Sequence, residues 1–341
     1  MSAGFVAVQW NRHKLVYDAV VLAGVALYLS TYLALAPAEV TWEIRRLRAF
    51  GSCAFLMLTI ILAIGPLARL DRRFLPLLYN RRHFGVMTFL VALGHFALVL
   101  DWYHRNGALD PLLSLLVSSR HYGSFTGFPF EILGLAALAI LYVMAATSHD
   151  FWLAYLSPPV WKAIHMAVYL AYGLLVMHVA LGALQEDRGL LLPLLLGASL
   201  AGVTLLHVLA ARREAGIDAG AAPDSGWLPV GPADAIPEGR ARIVVPVAGE
   251  RIAVFRHGGR LSAVSNVCAH QNGPLGEGRI IDGCITCPWH GFQFRPEDGC
   301  APPPFTDKIA TYRLRLAGRL VEVDPRPLPP GTRVEPLALE G

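Results

Sequence analysis

Cys268-Ala-His270 and Cys287-Pro-Trp-His290, with sixteen residues between them, decide the reading of this 341-residue sequence. Each of the two short stretches gives one thiol and one imidazole. A tetrahedral zinc site also uses two thiolates and two imidazoles, but it usually takes its cysteines as one pair and its histidines as another. A [2Fe-2S] cluster with two thiolates on one iron and two imidazoles on the other needs one of each from each loop. The interleaved order Cys, His, Cys, His favours the cluster, with zinc as the competing occupant.

The sequence around the motif is of β type. Ile243-Val-Val and Ile252-Ala-Val-Phe255 predict strands, and Gly258-Gly259 predicts a hairpin turn before Leu261-Ser-Ala-Val264. Asp282-Gly283 predicts a second turn between Arg279-Ile-Ile281 and Cys284-Ile-Thr286, inside the ligand segment. Tyr312 to Leu316 and Leu320 to Val323 predict a last pair around Ala317-Gly318. Residues 227–325 thus read as a small all-β domain, and the Pro-rich residues 326–341 as a tail or a strap against its surface. Gly273, Pro274, Pro288 and Gly291 flank the ligands, as suits tight loops whose N–H groups approach the sulfurs; turn chemistry alone explains them equally.

The motif resembles the Rieske family closely, and the resemblance implies a [2Fe-2S] cluster held by Cys268, His270, Cys287 and His290. High-potential members of that family carry an extra cysteine in each ligand loop, forming a disulfide, and a serine just after the second His-Gly. Here Asn272-Gly273 and Trp289 occupy that region, and Phe292 follows Gly291. Fewer hydrogen bonds to the sulfurs are expected, which implies the low-potential, ferredoxin-like class. Pro302-Pro303-Pro304 resembles the proline loop that covers the cluster in this family. Of the other cysteines, Cys53 reads as a small buried filler, while Cys284 and Cys300 are unassigned. Cys284 and Cys287 make a CxxC of which the family uses only the second thiol.

Hydrophobic residues make up 55% of the chain and charged residues 16%, far from the soluble average, and the excess lies before residue 212. Apolar runs at 14–36, 49–68, 84–102, 128–147, 160–184 and 190–211 predict a six-helix membrane bundle over residues 1–211. Ala34-Leu35-Ala36 imitates a signal-peptidase site, but the run is long and Pro37 follows, so the helix is read as retained. Residues 212–226 read as a linker. Arg69, Arg72, Arg73, Arg81 and Arg82 crowd the 69–83 loop. Placing that loop in the cytoplasm puts ten Lys and Arg on its side against six on the other. Both termini and the Cys/His domain then face the cytoplasm from the inner membrane, where reduced thiols belong. A net charge of +4 with no basic cluster interleaved with aromatics argues against nucleic acid as a partner.

Ionisable side chains inside spans are costly, so the histidines there need reasons. His95 sits midway in the third span, and His165 and His178 lie in the fifth. Any one of them alone reads equally well as a helix–helix hydrogen bond. Together they fit redox centres, because thirteen residues rise about 20 Å, a spacing for two centres across a core of about 30 Å. Thirteen residues also make about 3.6 turns, so the two imidazoles do not share one stripe. Either they face different sides or the helix bends.

Gly65-Pro-Leu-Ala-Arg69, Arg81-Arg-His-Phe-Gly85 through to His95, Thr147-Ser148, and Trp161-Lys-Ala-Ile-His165 through to His178 resemble the ferric-reductase-like transmembrane family. Within it, the similarity is to the haem-binding membrane subunits of periplasmic methionine sulfoxide reductase systems. The resemblance implies b-type haem, one or two, between the third and fifth spans. His95 and His178 would form one axial pair, and His165 would hold a second haem if there is one. His83 is a possible partner of His165 and equally a surface histidine near headgroups. Arg81 and Arg82 suit haem propionates, and the positive-inside rule explains them as well.

The two halves imply a membrane electron-transfer protein, passing electrons between a cytoplasmic Rieske cluster and b haem in the lipid bilayer, and on to a quinone or a periplasmic acceptor protein. Related oxidases and reductases attach a flavin and nicotinamide module. No GxGxxG stands between a strand and a helix here, so a separate donor such as a flavin reductase is expected. Two alternatives are a metal or quinone reductase enzyme, and a membrane-anchored Rieske ferredoxin without haem. A Rieske oxygenase would need a mononuclear iron site with two His and a carboxylate, in a large domain after the cluster.

Overall fold

Long apolar segments satisfy their backbone in a bilayer only as helices or closed barrels, and the first part of the chain is helical. The computed structural model describes residues 12–78, 80–117, 127–149, 152, 156, 158–186, 190–219, 226–246, 249–270, 272–289 and 291–339. The chain divides into two compact units: Asn11–Arg69 with Asn80–Val208, and chiefly Leu209–Gly341 with Leu70–Tyr79.

The main helices are α1 (Arg12–Leu35), α2 (Trp42–Leu70), α3 (Arg81–Val99), α4 (Phe130–Ala146), α5 (Pro158–Met166), α6 (Val168–Leu181) and α7 (Leu191–Ala219). Five segments are long and apolar enough to cross a membrane: Lys14–Leu35, Trp42–Leu70, Arg81–His104, Val160–Gln185 and Leu192–Gly216. The sixth expected span, α4, has 17 residues. It rises about 25 Å, short for a hydrocarbon core of about 30 Å yet at the lower limit of what spans one. Large apolar side chains point outward all along the unit; Leu27 is 70% and Leu35 79% exposed. That inversion suits lipid as solvent.

The interior of the bundle is built from Leu58 and Leu62 of α2, Ala137 and Leu141 of α4, Ala171 and Tyr172 of α6, and Val203 of α7. Ala137 and Ala171 have no exposed surface, because small residues let helix backbones approach closely. Tyr172 stacks on Phe55 at 5.5 Å, and its hydroxyl meets Thr59 Oγ1 at 3.3 Å.

Two features of the helices differ from the plain spans expected. The fifth span is interrupted at Ala167, whose N–H donates to Ile164 O at 3.1 Å, a tighter turn between α5 and α6. The sequence left two ways for His165 and His178 both to serve centres, rings on different sides or a bent helix, and the break at Ala167 lies between the two histidines. At the other end, α7 stays helical to Ala219, through the first residues expected to be linker.

The second unit is all-β. Its strands are β1 (Leu228–Pro232), β2 (Ala241–Val244), β3 (Ile252–His257), β4 (Arg260–Ser265), β5 (Arg279–Ile281), β6 (Cys284–Thr286), β7 (Gln293–Phe294), β8 (Thr311–Tyr312), β9 (Leu314–Ala317), β10 (Leu320–Val323) and β11 (Leu337–Ala338). They form three antiparallel sheets: β1-β10-β9, β5-β6-β7, and β11-β4-β3-β2 with β8 also on β4. Gly258 and Gly259, at φ 54° and 70°, close the β3–β4 hairpin, and Asp282 and Gly283, at 50° and 78°, close β5–β6. Two consecutive left-handed residues are what a tight hairpin turn demands. The expected strand over 312–316 is split: β8 pairs with β4, and β9 pairs with β10. The Pro-rich end is the strap: Leu328 N–H donates to Thr311 O at 3.0 Å, Val334 N–H to Glu297 O at 2.8 Å, and β11 pairs with β4.

Strand β3 is buried on both faces, and its alternation divides the interior. Ile252 and Val254 face a core with Leu228, Leu261, Tyr312 and Val321. Ala253 and Phe255 face a second core with Val264, Leu275, Ile285 and Phe294, to which Cys268 and Cys287 also belong.

Candidate redox centres

The two motif stretches fold into loops of like construction beyond β4 and β6. In the first, the Cys268 N–H donates to Gly273 O at 2.9 Å and the Asn272 N–H to Cys268 O at 2.7 Å. In the second, the Cys287 N–H donates to Phe292 O at 2.8 Å and the Gly291 N–H to Cys287 O at 2.9 Å. The fifth residue of each loop is left-handed, Asn272 at φ 58° and Gly291 at 71°, a conformation that asparagine and glycine tolerate best. Each cysteine backbone is thereby fixed from both sides, and both thiols are buried, at 0% and 3% exposure.

Gly273 is where the loops meet. A Cβ at that position would lie 2.7 Å from the Cys287 sulfur and 3.2 Å from the Trp289 indole. His270 is buried and stacks on Phe292, with ring centres 4.9 Å apart and planes at 4°. Phe292 packs in turn on Phe305, 5.0 Å away, beside the Pro302–Pro304 stretch. His290 lies outside the described residues. Among those described, no three His, Cys, Asp or Glu side chains are placed to hold a single metal ion. Two buried thiols and a buried imidazole, on loops that touch at a glycine, fit the donor chemistry of a [2Fe-2S] cluster. Cys284 sits apart in β6, and burial pushes its thiol above the ordinary pKa. It keeps its proton at neutral pH, unlike a ligating thiol.

In the helical unit, His95 of α3 and His178 of α6 come together with ring centres 6.4 Å apart and planes at 81°. His95 Nδ1 bonds Leu47 O of α2 at 2.9 Å, and His178 Nδ1 bonds Phe130 O of α4 at 2.8 Å. A carbonyl only accepts, so both Nδ1 atoms carry the proton and Nε2 is the acceptor nitrogen of each ring. Two imidazole–metal bonds of about 2 Å, with roughly 1 Å from each nitrogen to its ring centre, would set the ring centres about 6 Å apart. The observed spacing fits an axial pair on one iron. Arg46 Nε and Glu131 Oε2, next in sequence to Leu47 and Phe130, are buried without a hydrogen-bond partner among the described residues. Buried polar atoms of that kind require a partner still to be supplied.

The other motif histidines lie in polar surroundings. His165 Nδ1 bonds Trp161 O at 2.9 Å, its Nε2 faces Ser148 Oγ at 3.4 Å, and its ring stacks on Trp161 at 3.7 Å. Trp161 Nε1 donates to Thr147 O at 3.0 Å, and Arg82 donates to Ser148 O at 3.2 Å. The Arg81 guanidinium lies against Gly65, where a Cβ would be 3.3 Å from it. The four quoted stretches of the membrane half therefore converge. His83 Nδ1 pairs with Asp18 Oδ2 at 2.9 Å, and Asn80 Nδ2 donates to Asp18 Oδ1 at 2.5 Å. An Nδ1–carboxylate bond is the arrangement in which a metal-binding histidine presents Nε2.

Residues 226–313 match the family described as the Rieske [2Fe-2S] domain, and residues 48–176 the one described as the ferric reductase like transmembrane component. The chain belongs to the Rieske family through its second part, and its first part matches the ferric-reductase-like transmembrane model. It is similar to the anthranilate 1,2-dioxygenase ferredoxin subunit of Burkholderia cepacia, 36% identical over 102 residues, which are 29% of this chain and 91% of that protein. It is also similar to cholesterol 7-desaturase nvd 1 of Ciona intestinalis, 30% identical over 110 residues, 32% of this chain but only 23% of that one. Among solved structures, a complex of reduced oxygenase and oxidized ferredoxin in carbazole 1,9a-dioxygenase matches at 28% identity over 31% of this chain and 98% of the other, with a TM-score of 0.29.

In this Rieske domain the position after Gly291 holds Phe292, whose ring stacks on His270 and donates no hydrogen bond. An EPR-monitored redox titration should therefore give a midpoint at or below about 0 mV, in the lower part of a family range of about −150 to +300 mV. A midpoint far above 0 mV would show that the sulfurs receive donors these loops do not carry.

Sequence reasoning missed the second partners of the histidines. Leu47 and Phe130 act through backbone carbonyls, which leave no side-chain signature. Asp18 did leave one: a carboxylate inside the first apolar run is a costly residue that asks for a partner.

Proposed function

We propose that the protein carries electrons one at a time between a [2Fe-2S] cluster held by Cys268, His270, Cys287 and His290 and b-type haem held in the bilayer by His95 and His178. The observation that carries this reading is the His95–His178 pair. A histidine kept only to bond two helices spends its polar atoms on its neighbours. Here both rings turn Nδ1 to a carbonyl of another helix, which leaves Nε2 as the acceptor nitrogen of each, at a ring spacing of 6.4 Å.

Cluster and haem each supply a one-electron carrier; the protein binds them, fixes their ligands and keeps water away. The carbonyls of Leu47 and Phe130 fix the tautomer and rotation of the axial rings, and the Arg46 guanidinium would receive a carboxylate edge of the haem. One haem is assigned. A second one at His165, with His83 as partner, would have to open the 3.4 Å contact between His165 and Ser148.

Residues 1–211 would be the haem-binding part, 212–226 the connection, and 227–325 the cluster-binding part, with 326–341 as its strap. The excess of basic residues around 69–83 supports a cytoplasmic Rieske domain on an inner-membrane protein. Likeness to the ferredoxin subunit of a dioxygenase supports a carrier that takes electrons from a separate reductase. A quinone or an acceptor across the membrane would complete the path.

The test is spectroscopic. Dithionite-reduced, detergent-purified protein should show a Rieske EPR signal and b-type haem bands, with cluster and haem in about equal amounts. Imidazole planes near perpendicular, 81° here, would leave the two dπ orbitals of an iron held between them almost degenerate. The oxidised haem should then give a strongly anisotropic low-spin EPR signal. A Rieske signal with no haem bands would reduce the bundle to an anchor.

A further inference from the structure

The two axial histidines are held by the same device, built twice. His95 and Leu47, and likewise His178 and Phe130, are partners 48 residues apart in sequence. Four residues after each carbonyl comes a glycine, Gly51 on α2 and Gly134 on α4. Each glycine lies against the ring that its helix holds. A Cβ on Gly51 would be 2.9 Å from His95 Cε1 and Nδ1, and one on Gly134 would be 2.8 Å from the same two atoms of His178. Real Cβ atoms do not approach so closely.

The reason lies in helix geometry. A side chain in an α-helix leans toward the N-terminus and covers the turn before its own Cα. Residue i+4 therefore shields the carbonyl of residue i, which already accepts that residue's own N–H. A carbonyl has a second lone pair, and a neighbouring helix can use it only where nothing covers it. Glycine leaves it open. At an ordinary site in a membrane helix, the bond would be blocked.

We propose that Gly51 and Gly134 are positioning residues, each opening a helix carbonyl that orients one axial imidazole. The proposal rests on the haem reading above. Neither glycine touches the iron; each acts through the ring it admits. An alanine would push the ring off its carbonyl, free Nδ1, and let the imidazole rotate away from its axial direction. Loss of such an outer partner lowers metal affinity by about 10- to 100-fold.

Gly51→Ala and Gly134→Ala in the full chain test this, with Gly173→Ala and Gly197→Ala as controls, since a Cβ at those two positions meets nothing within 4 Å. A reduced haem with two imidazoles has no open position for carbon monoxide, so wild type and controls should give no carbon monoxide difference spectrum. Both test variants should give one, with less haem per Rieske signal. Thermal unfolding gives a second readout that needs no haem. In the His95→Ala background no ring stands in the way, and Gly51→Ala should raise the melting midpoint by about 2 °C, as helix propensity dictates. In the wild-type background it should lower the midpoint. Variants with wild-type haem content and no carbon monoxide spectrum would overturn the glycine proposal and leave the haem reading intact. A midpoint raised in both backgrounds would overturn it too. Wild-type protein with a Rieske signal and no haem would overturn the haem reading itself, and the reversal of sign would still decide whether the glycines admit the rings.

Discussion

Replacing His178 by Ala should remove the b-haem absorbance while the Rieske EPR signal keeps its wild-type amplitude, and His95→Ala should do the same. On the proposed reading each ring would supply one of two bonds to the iron, and the other histidines of the motif stretches are engaged elsewhere: His165 with Trp161 and Ser148, and His83 with Asp18. Losing a ligand outright should exceed the roughly 100-fold that loss of an outer partner costs. The two effects should match, because the two rings are held alike. His83→Ala and His165→Ala, in contrast, should keep the haem assigned here. Absorbance at wild-type level in both the His95 and the His178 variant would leave the bundle an anchor for a ferredoxin.

The second large effect belongs to Gly273. Gly273→Ala should abolish the Rieske signal and the cluster iron while leaving the haem bands in place. The added methyl would stand 2.7 Å from the Cys287 sulfur, with Trp289 behind it at 3.2 Å. Neither loop can swing aside cheaply. The Gly273 carbonyl is tied to the Cys268 N–H, and the Cys287 backbone is tied at both its N–H and its carbonyl. Overpacking in such a place costs about 1–3 kcal/mol, which a folded domain can absorb. The placement of a sulfur relative to iron cannot absorb a shift of that size. Iron content and EPR amplitude check it; a full signal in the variant would show that the loops do not close on each other in this way.

Much of this was legible in the chain. The Cys268 to His290 spacing, the turn pairs Gly258-Gly259 and Asp282-Gly283, and the alternation of β3 all act locally, so the sequence carries them openly. The apolar runs announce the spans for the same reason. Positions that depend on a partner far along the chain were not legible. Gly51 stands in an apolar run as an unremarked small residue, and only the approach of His95 gives it meaning. The break at Ala167 has no proline or glycine to mark it, and the phase of His165 and His178 left rings on different sides as open as a bend. The Tyr312–Leu316 run looks continuous because both halves are strand; its division depends on which sheet each half joins. The end of α7 was read as linker from its Ala and Gly content, whereas alanine-rich polar sequence also makes good helix.

The strap has a consequence for how the second unit meets other molecules. A strand without a neighbour is a row of open donors and acceptors that any passing chain can pair with. The outer side of β4 would be such a row at Arg260 and Leu261, ahead of Ala263 and Val264, which β8 already pairs. The last described residues close it: Leu337 and Ala338 lie opposite Leu261 and Arg260, and Leu339 N–H donates to Gly259 O at 3.1 Å. A ferredoxin-like domain has to be touched briefly and often by its redox partners. With that flank sealed from within, encounters there cannot mature into shared sheets, and the domain stays available for short-lived contacts.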